Sequence, residues 1–229
     1  MRVIPFFTPE IASVQNLKRD DKSIESDLPD QFLFYPARLM SQKNHITIFK
    51  ALCVLKSKYK LKLPLVMVGK DNGNKHYLFE MISQLKLQDD VIYLGEVSFP
   101  NLVLLYKKAL ALVYASMNGP DNFPPLEAFS LGCPVIASRL EGAEEQLGDN
   151  ALLFETMNEE ELAERIYSLY SNDDFRSELI LRGYARAAKW KAEDYVKDLL
   201  AIVDEFDKVS QAWDADFFRI TGRWNSLMK

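Results

Sequence analysis

The sequence is poor in the residues that build metal centres, disulfide frameworks and membrane spans. Only two cysteines and two histidines occur among its 229 residues. Cys53 and Cys133 lie in apolar surroundings, which is typical of buried, reduced thiols in a cytosolic protein. Two histidines are too few for a multi-histidine metal centre. No apolar run approaches the roughly 18 residues of a membrane-spanning helix, and no signal-peptide core follows Met1. We therefore expect a cytoplasmic protein without a metal site or a transmembrane segment. Peripheral contact with a membrane surface is compatible with this expectation.

An excess of basic residues is also missing. The chain has 28 Lys and Arg against 33 Asp and Glu, a net charge of −5. This balance argues against a protein that coats nucleic acid, which needs a basic surface. The length suits one large domain or a domain with appendages, and such a chain buries about 70% of its unfolded surface without covalent staples.

Three nucleotide and hydrolase fingerprints are absent. No G-x-G-x-x-G follows the first apolar run, which argues against a dehydrogenase. No G-x-x-x-x-G-K-[ST] loop occurs, so kinase and ATPase functions are disfavoured. Neither a G-x-S-x-G elbow nor a Ser–His–Asp set is evident, which disfavours a serine hydrolase.

The middle of the sequence alternates short apolar runs with amphipathic helical segments. Such runs suit strands that are buried on both faces, and the alternation favours a parallel sheet with right-handed crossovers. We predict an α/β domain with a doubly wound, mostly parallel, six-stranded Rossmann-like sheet. The predicted strands lie in residues 32–37, 64–69, 91–95, 110–115, 134–138 and 151–154.

Three further helices are predicted after the last strand. They lie near residues 158–170, 173–189 and 191–207, and Asn158 with Glu161 resembles a capping box at the start of the first. We divide the chain into a lead-in, a Rossmann-like domain that includes these helices, and a tail containing Trp213, Phe217, Phe218 and Trp224. The three parts are residues 1–30, 31–207 and 208–229.

Ligands of open parallel sheets bind at the carboxyl ends of the strands, so the loops there carry the candidate chemistry. After the first strand, Arg38 and Lys43 stand five residues apart at a predicted helix N-terminus, where a diphosphate would be favoured. The same spacing also fits two solvated surface cations. After the second strand comes GKDNG at 69–73, either a simple turn or, through Gly69, a place where backbone approaches a ligand.

The loop after the fourth strand is the most unusual stretch. Pro124 and Pro125 are expected to lie just before a helix and to pre-set its first turn, with Glu127 in that turn. Glu127 could simply complement the helix dipole. Its carboxylate could instead accept two ribose hydroxyls, and the free N–H groups of the turn could meet phosphate or sugar oxygens.

Five segments of the sequence, taken together, carry a resemblance to a known protein family. They are Arg38 with Lys43, Gly69, VIYLGEV at 91–97, YASMNGPDNFPPLEAFSLGCPVIAS at 114–138 and EGAEEQLGDNALLF at 141–154. Together they resemble the retaining glycosyltransferase family 4, also called glycosyl transferases group 1. Over residues 3–207 the resemblance falls in the C-terminal, donor-binding half of the two-domain GT-B architecture.

The resemblance implies a set of site residues. Arg38 and Lys43 match the cations that hold the donor diphosphate, and Glu127 matches the second glutamate of the E-x7-E motif, which binds the donor ribose. These three are the candidate catalytic residues. The implied donor-binding residues are Gly69, Lys70, Gly95, Glu96, Val97, Gly119, Asp121, Asn122, Pro125 and Leu126. The family also implies no cofactor or metal at the diphosphate.

The sequence departs from the family pattern in two ways. Gly119 stands where the first glutamate of E-x7-E belongs, and Asp121 is the nearest carboxylate that could replace it. The segment from Val3 to Phe6 resembles the link between the two GT-B halves, so we expect the acceptor-binding half to be missing from this chain or supplied by another.

The resemblance favours transfer of a sugar from a nucleotide-diphosphate sugar to an acceptor hydroxyl, with retained configuration. One alternative is a non-catalytic module that kept the fold and acts through nucleotide-sugar binding or protein contacts. An epimerase of the same architecture is a further alternative, although its catalytic acids are not recognisable. The sequence names neither the sugar, the base, the acceptor nor the oligomeric state.

Overall fold

The computed structural model describes residue 4, residues 6–9, 24–118 and 123–206, and residue 210. Six parallel strands form one sheet in the order β3-β2-β1-β4-β5-β6. The predicted fold class and all six predicted strands are confirmed. Their bounds are β1 (Leu33–Pro36), β2 (Leu65–Val68), β3 (Val91–Tyr93), β4 (Ala111–Tyr114), β5 (Val135–Ser138) and β6 (Leu152–Phe154).

The centre of the sheet forms the hydrophobic core. Every residue of β2, β4 and β5 is buried, as expected for strands covered by helices on both faces. In the register of the central strands, Leu33 lies opposite Leu65 on one side and Ala111 on the other. The carboxyl ends of these strands therefore meet at one edge of the sheet.

Helices cover the sheet and continue beyond it. They are α1 (His45–Lys58), α2 (Lys75–Gln84), α3 (Phe99–Lys108), α4 (Phe123–Leu131), α5 (Ala143–Leu147), α6 (Glu159–Ser171) and α7 (Asp173–Lys189). Residues 192–206 are also helical. Two of the predicted C-terminal helices thus match α6 and α7, and the third, predicted near 191–207, is helical over residues 192–206.

Only one of the two hydrogen bonds of the predicted capping box forms at the start of α6. Asn158 Oδ1 accepts a hydrogen bond from the Glu161 backbone N–H at 3.1 Å. The Glu161 carboxylate accepts from Glu155 N at 2.8 Å rather than from Asn158 N. Asn158 N donates instead to the Glu155 carbonyl. The glutamate therefore ties the helix to the chain leaving β6.

The cysteine prediction needs one correction. Cys133 is buried, but Cys53 is only partly buried because it lies on α1 toward the surface. Both thiols are free. No helix in the described ranges is long and apolar enough to cross a bilayer.

The lead-in and the C-terminal helices touch where the structure describes them. The Phe6 and Tyr195 rings stack with centroids 6.0 Å apart, and Thr8 N donates to Trp190 O at 3.4 Å. The predicted aromatic tail at 208–229 lies, apart from residue 210, outside the described residues.

The order of the strands reverses at the β1–β4 pair. From β1 the chain proceeds outward through β2 and β3, and it then returns to β4 on the other side of β1. Loops that leave two such strands diverge and open a crevice at the carboxyl edge. The loop after β1 carries Arg38 and Lys43, and the loop after β4 leads into α4, which carries Glu127.

Candidate functional site

A cleft of about 290 Å³ opens at the carboxyl ends of β1 and β2. The structure brings five predicted site residues from three separate loops into its lining: Arg38, Gly69, Lys70, Glu96 and Val97. The remaining lining is largely apolar and includes Leu102 from α3. The cleft combines an apolar wall with charged residues of both signs at its rim, which suits a ligand with a flat apolar part and an anionic part.

Gly69 allows two backbone segments of the cleft wall to pack closely because it has no side chain. Its φ is +140°, and a Cβ at this position would lie 2.3 Å from the Ala37 carbonyl oxygen. Gly69 N donates to Gly95 O at 2.8 Å, and Tyr93 Oη donates to Gly69 O at 2.8 Å. The close approach at Gly69 is therefore made by the chain's own β1 loop, and this packing sets the floor of the cleft.

Lys43 lies outside the lining of the cleft, beside the end of β4. It ends a short 3-10 turn (Ser41–Lys43) and is followed by Asn44 in the left-handed conformation, which starts α1. Its ammonium lies 3.3 Å from Ser116 Oγ and 3.5 Å from Tyr114 Oη. The Lys43 carbonyl accepts a hydrogen bond from the buried Tyr35 hydroxyl. Both ends of Lys43 are thus held in place.

The electrostatics around Lys43 favour an incoming anion. Partial burial, and then the positive charge of Arg38, lower the pKa of Lys43. Burial, and then Lys43 itself, lower the pKa of the adjacent His45 to about 4, so this histidine stays neutral. An anion placed between Arg38 and Lys43 would relieve their mutual repulsion.

Glu127 is placed differently from the sequence prediction. Because α4 already begins at Phe123, Glu127 is its fifth residue and lies beyond the first turn. It therefore does not complement the helix N-terminus, and that simpler interpretation is wrong. The Tyr106 hydroxyl instead donates to Glu127 Oε2 at 2.6 Å. Burial raises the pKa of Glu127, and the hydrogen bond from Tyr106 opposes this shift.

The two prolines lie inside the first turn of α4 rather than before it. Pro124 and Pro125 are its second and third residues, so they remove two of the N–H groups that a helix N-terminus usually offers to an anion. Pro125 and Leu126 are buried, so only their backbone could meet a ligand. The predicted residues Gly119, Asp121 and Asn122 lie outside the described residues.

Sequence reasoning missed Tyr106, Tyr114 and Ser116. All three are buried in α3 or at the end of β4, where their side chains look like ordinary core residues in the sequence. Their polar atoms become meaningful only because the fold places them beside Lys43 and Glu127. No local motif marks these partnerships.

A second hollow, of about 500 Å³, lies at the β6 edge of the sheet. Its cations are already neutralised: Arg139 pairs with Glu155 at 2.8 Å, and Arg165 pairs with Glu161 at 3.0 Å. Arg38 and Lys43 differ from these arginines, because neither is paired with a carboxylate among the described residues. Within the described ranges, no three His, Cys, Asp or Glu side chains form a cluster that could hold a metal ion.

Comparison with known proteins identifies related sequences. The family described as "Glycosyl transferases group 1" matches residues 17–186. O-antigen chain mannosyltransferase B of Escherichia coli is 25% identical over 163 residues, which cover 71% of this chain and 43% of that protein.

Two solved structures show the same fold. HepE of Anabaena, solved in complex with UDP, superposes with a TM-score of 0.68 at 19% identity over 79% of this chain and 50% of its own. The C-terminal domain of a glycosyl transferase group 1 protein from Francisella tularensis gives a TM-score of 0.64 at 22% identity over 73% of this chain. That domain is covered over 90% of its length. The present chain thus spans about half or less of its longer relatives.

Proposed function

The chain belongs to the glycosyl transferases group 1 family, and on this premise we propose that it is the donor-binding half of a retaining glycosyltransferase. Its substrate is a nucleotide-diphosphate sugar, and the sugar passes to an acceptor hydroxyl. The observation that carries the proposal is the pair of cations at the switch point of the sheet. Among the described residues, the side-chain partners of the Lys43 ammonium are hydroxyls and not carboxylates, so its charge is available to a diphosphate.

Each part of the donor has a matching feature. The diphosphate lies between Arg38 and Lys43. The ribose hydroxyls bind the Glu127 carboxylate, and the base enters the cleft beside Glu96 and Val97. UDP in the related HepE structure supports a nucleotide at this fold. The 290 Å³ volume is of the size expected for part of a nucleotide.

In the proposed reaction, the bond between the sugar C1 and the diphosphate oxygen breaks, the acceptor hydroxyl oxygen bonds to C1 on the same face, and the hydroxyl proton passes to the departing diphosphate oxygen. Negative charge then accumulates on the leaving diphosphate. Arg38 and Lys43 stabilise that charge in a partly buried site, where electrostatic interactions are stronger than in water. We propose that these two cations make a metal ion unnecessary.

The acceptor-binding half is the proposed partner. The chain covers 43% of the E. coli mannosyltransferase, so a complete enzyme of that length requires another domain. The helix at residues 192–206 has an exposed apolar face formed by Val196, Leu199, Leu200, Val203 and Phe206. Contiguous apolar surface of this kind marks protein contacts, and we propose that the acceptor-binding half covers it.

Calorimetry with UDP and GDP, with and without EDTA, tests the donor site. We expect one nucleotide to bind with the same affinity in both conditions. Arg38→Ala is expected to weaken diphosphate binding about 10- to 100-fold, the size of a charge-assisted hydrogen bond, and to leave nucleoside binding nearly unchanged. Arg139→Ala, at the other hollow, is the matched control. Strict metal dependence, binding of neither nucleotide, or equal loss of nucleoside binding in Arg38→Ala would contradict the proposal.

A non-catalytic interaction module is the second candidate, and the exposed apolar face of residues 192–206 also favours it. The two functions differ in turnover. The chain should be mixed with a separately produced acceptor-binding half, and sugar release or transfer from the donor should be measured. Transfer would exclude the non-catalytic module. Nucleotide binding without any turnover would favour it.

A further inference from the structure

Tyr106 joins the wall of the cleft to the carboxylate of Glu127. Its hydroxyl lies 2.6 Å from Glu127 Oε2. Tyr106 is fully buried, and its ring packs edge-on against Phe34 of β1, with centroids 5.0 Å apart at 87°. One turn earlier on the same helix, Leu102 lines the cleft. α3 therefore supplies both a wall of the cleft and the hydrogen-bond donor for Glu127.

The hydrogen bond has two consequences for the carboxylate. A phenolic hydroxyl has a single proton to donate, and here it occupies Oε2, while no described residue donates to Oε1. Burial raises the pKa of Glu127, and the Tyr106 hydroxyl opposes this by stabilising the ionised form. Tyr106 thus fixes the carboxylate and helps to keep it charged at the cost of burying a polar group.

We infer that Tyr106 is a positioning residue: it fixes one oxygen of Glu127 so that the other oxygen accepts the 2′- and 3′-hydroxyls of the donor ribose. This inference rests on the proposed function, because it refines how the same site selects a ribonucleotide. A buried tyrosine rigidly packed on β1 holds this geometry better than an exposed side chain, since its ring has no freedom to follow the carboxylate.

Tyr106→Phe tests the inference, because it removes only the hydroxyl and keeps the ring. Affinities of wild type and variant are measured by calorimetry for UDP and 2′-deoxy-UDP, or for GDP and 2′-deoxy-GDP if guanine nucleotides bind. Wild type should prefer the ribonucleotide about 5- to 20-fold, and Tyr106→Phe should lose most of this preference without weakening the deoxynucleotide. As the pH is lowered, the variant should also lose affinity for the ribonucleotide at a higher pH than the wild type does. The reason is that the Tyr106 hydroxyl no longer opposes the rise in the Glu127 pKa.

Tyr59→Phe provides a matched control, since Tyr59 stacks on Tyr167 away from the cleft. Glu127→Asp is a second variant that keeps the Tyr106 ring and the charge but withdraws the carboxylate by one methylene. It should also lose the preference, which keeps the test decisive if Tyr106→Phe does not fold. Wild-type preference and pH profile in Tyr106→Phe, or wild-type preference in Glu127→Asp, would overturn the positioning role. Absence of all nucleotide binding by the wild type would overturn the proposed function itself.

Discussion

The ammonium nitrogen of Lys43 lies 3.3 Å from the hydroxyl oxygen of Ser116, although the two residues are 73 positions apart. This contact joins the loop after β1 to the loop after β4, the two loops that flank the switch point. A second hydrogen bond joins the same two loops, since Met117 N donates to Gln42 O at 2.8 Å. Within its own loop, Ser116 Oγ donates to Asn118 O. The cation of one loop is therefore oriented by the loop that leads into the helix of Glu127.

Ser116→Ala should weaken binding of a nucleoside diphosphate about 3- to 10-fold, because the ammonium loses a neutral hydrogen-bond partner that fixes its direction. Nucleoside binding should not change. Calorimetry with UDP and uridine, or GDP and guanosine, measures both affinities. Ser57→Ala, at an exposed position of α1, serves as the control. An equal loss for nucleoside and diphosphate would show that Ser116 acts through the fold and not through Lys43.

The affinity for a nucleoside diphosphate should fall as the pH is raised, and the fall should begin at lower pH than for an ordinary lysine. Burial and the charge of Arg38 lower the pKa of Lys43, so the free protein loses this proton early. The diphosphate binds the protonated form and therefore favours proton uptake on binding. Calorimetry across alkaline pH measures the decline. In Lys43→Arg, whose side chain stays charged, it should disappear; persistence in that variant would contradict the assignment to Lys43.

Glu127→Gln should stabilise the free protein at neutral pH while it removes the preference for a ribonucleotide. The folded-state pKa of Glu127 is raised by burial. The contribution of Glu127 to the free energy of unfolding is therefore favourable in acid, below its pKa in the unfolded chain. It is lost as the pH rises through the pKa of Glu127 in the folded protein. Glutamine carries no charge to bury, so the variant should have a higher free energy of unfolding than the wild type at pH 7. Urea unfolding at pH 4 and pH 7 checks that the gain is confined to the higher pH.

Gly69→Ala should lower the free energy of unfolding by about 3 kcal/mol or more, since the new Cβ would lie 2.3 Å from the Ala37 carbonyl oxygen at a φ of +140°. Gly73→Ala is the matched control. Gly73 also has a positive φ, +89°, but nothing lies within 4 Å of its added Cβ, so the cost should be about 1 kcal/mol. Chemical denaturation measures both; similar losses would show that backbone conformation, not the contact with Ala37, dominates.

Asn158→Ala should cost about 1 kcal/mol, because the side chain caps α6 by accepting from Glu161 N. Asn172→Ala should cost a similar amount at the start of α7, where Asn172 accepts from Phe175 N at 2.9 Å. Nucleotide affinity should not change in either variant. Glu164→Ala, an exposed position on α6, should remain within about 0.5 kcal/mol of the wild type. A loss of nucleotide affinity in the cap variants would link these helices to the site.

The strands were predictable because their apolar runs are short, continuous and separated by amphipathic helices. Burial on both faces demands that pattern, so it is written into consecutive residues. The start of α6 was predictable for the same local reason, since Asn158 and Glu161 contact one another across one turn. The start of α4 was misplaced by a few residues. Its two prolines are compatible with a position just before a helix as well as with its first turn.

The sequence by itself determined the sheet, the order of its elements and the loops that carry Arg38, Gly69 and Glu127, because local periodicity and loop composition encode them. Only the tertiary structure decided what these residues touch. It placed Lys43 on Ser116 and Glu127 on Tyr106, and it revealed that Gly69 accommodates the Ala37 backbone. These contacts depend on strand order and helix packing between distant segments, and hydrogen bonds across such distances leave no periodic trace in the sequence.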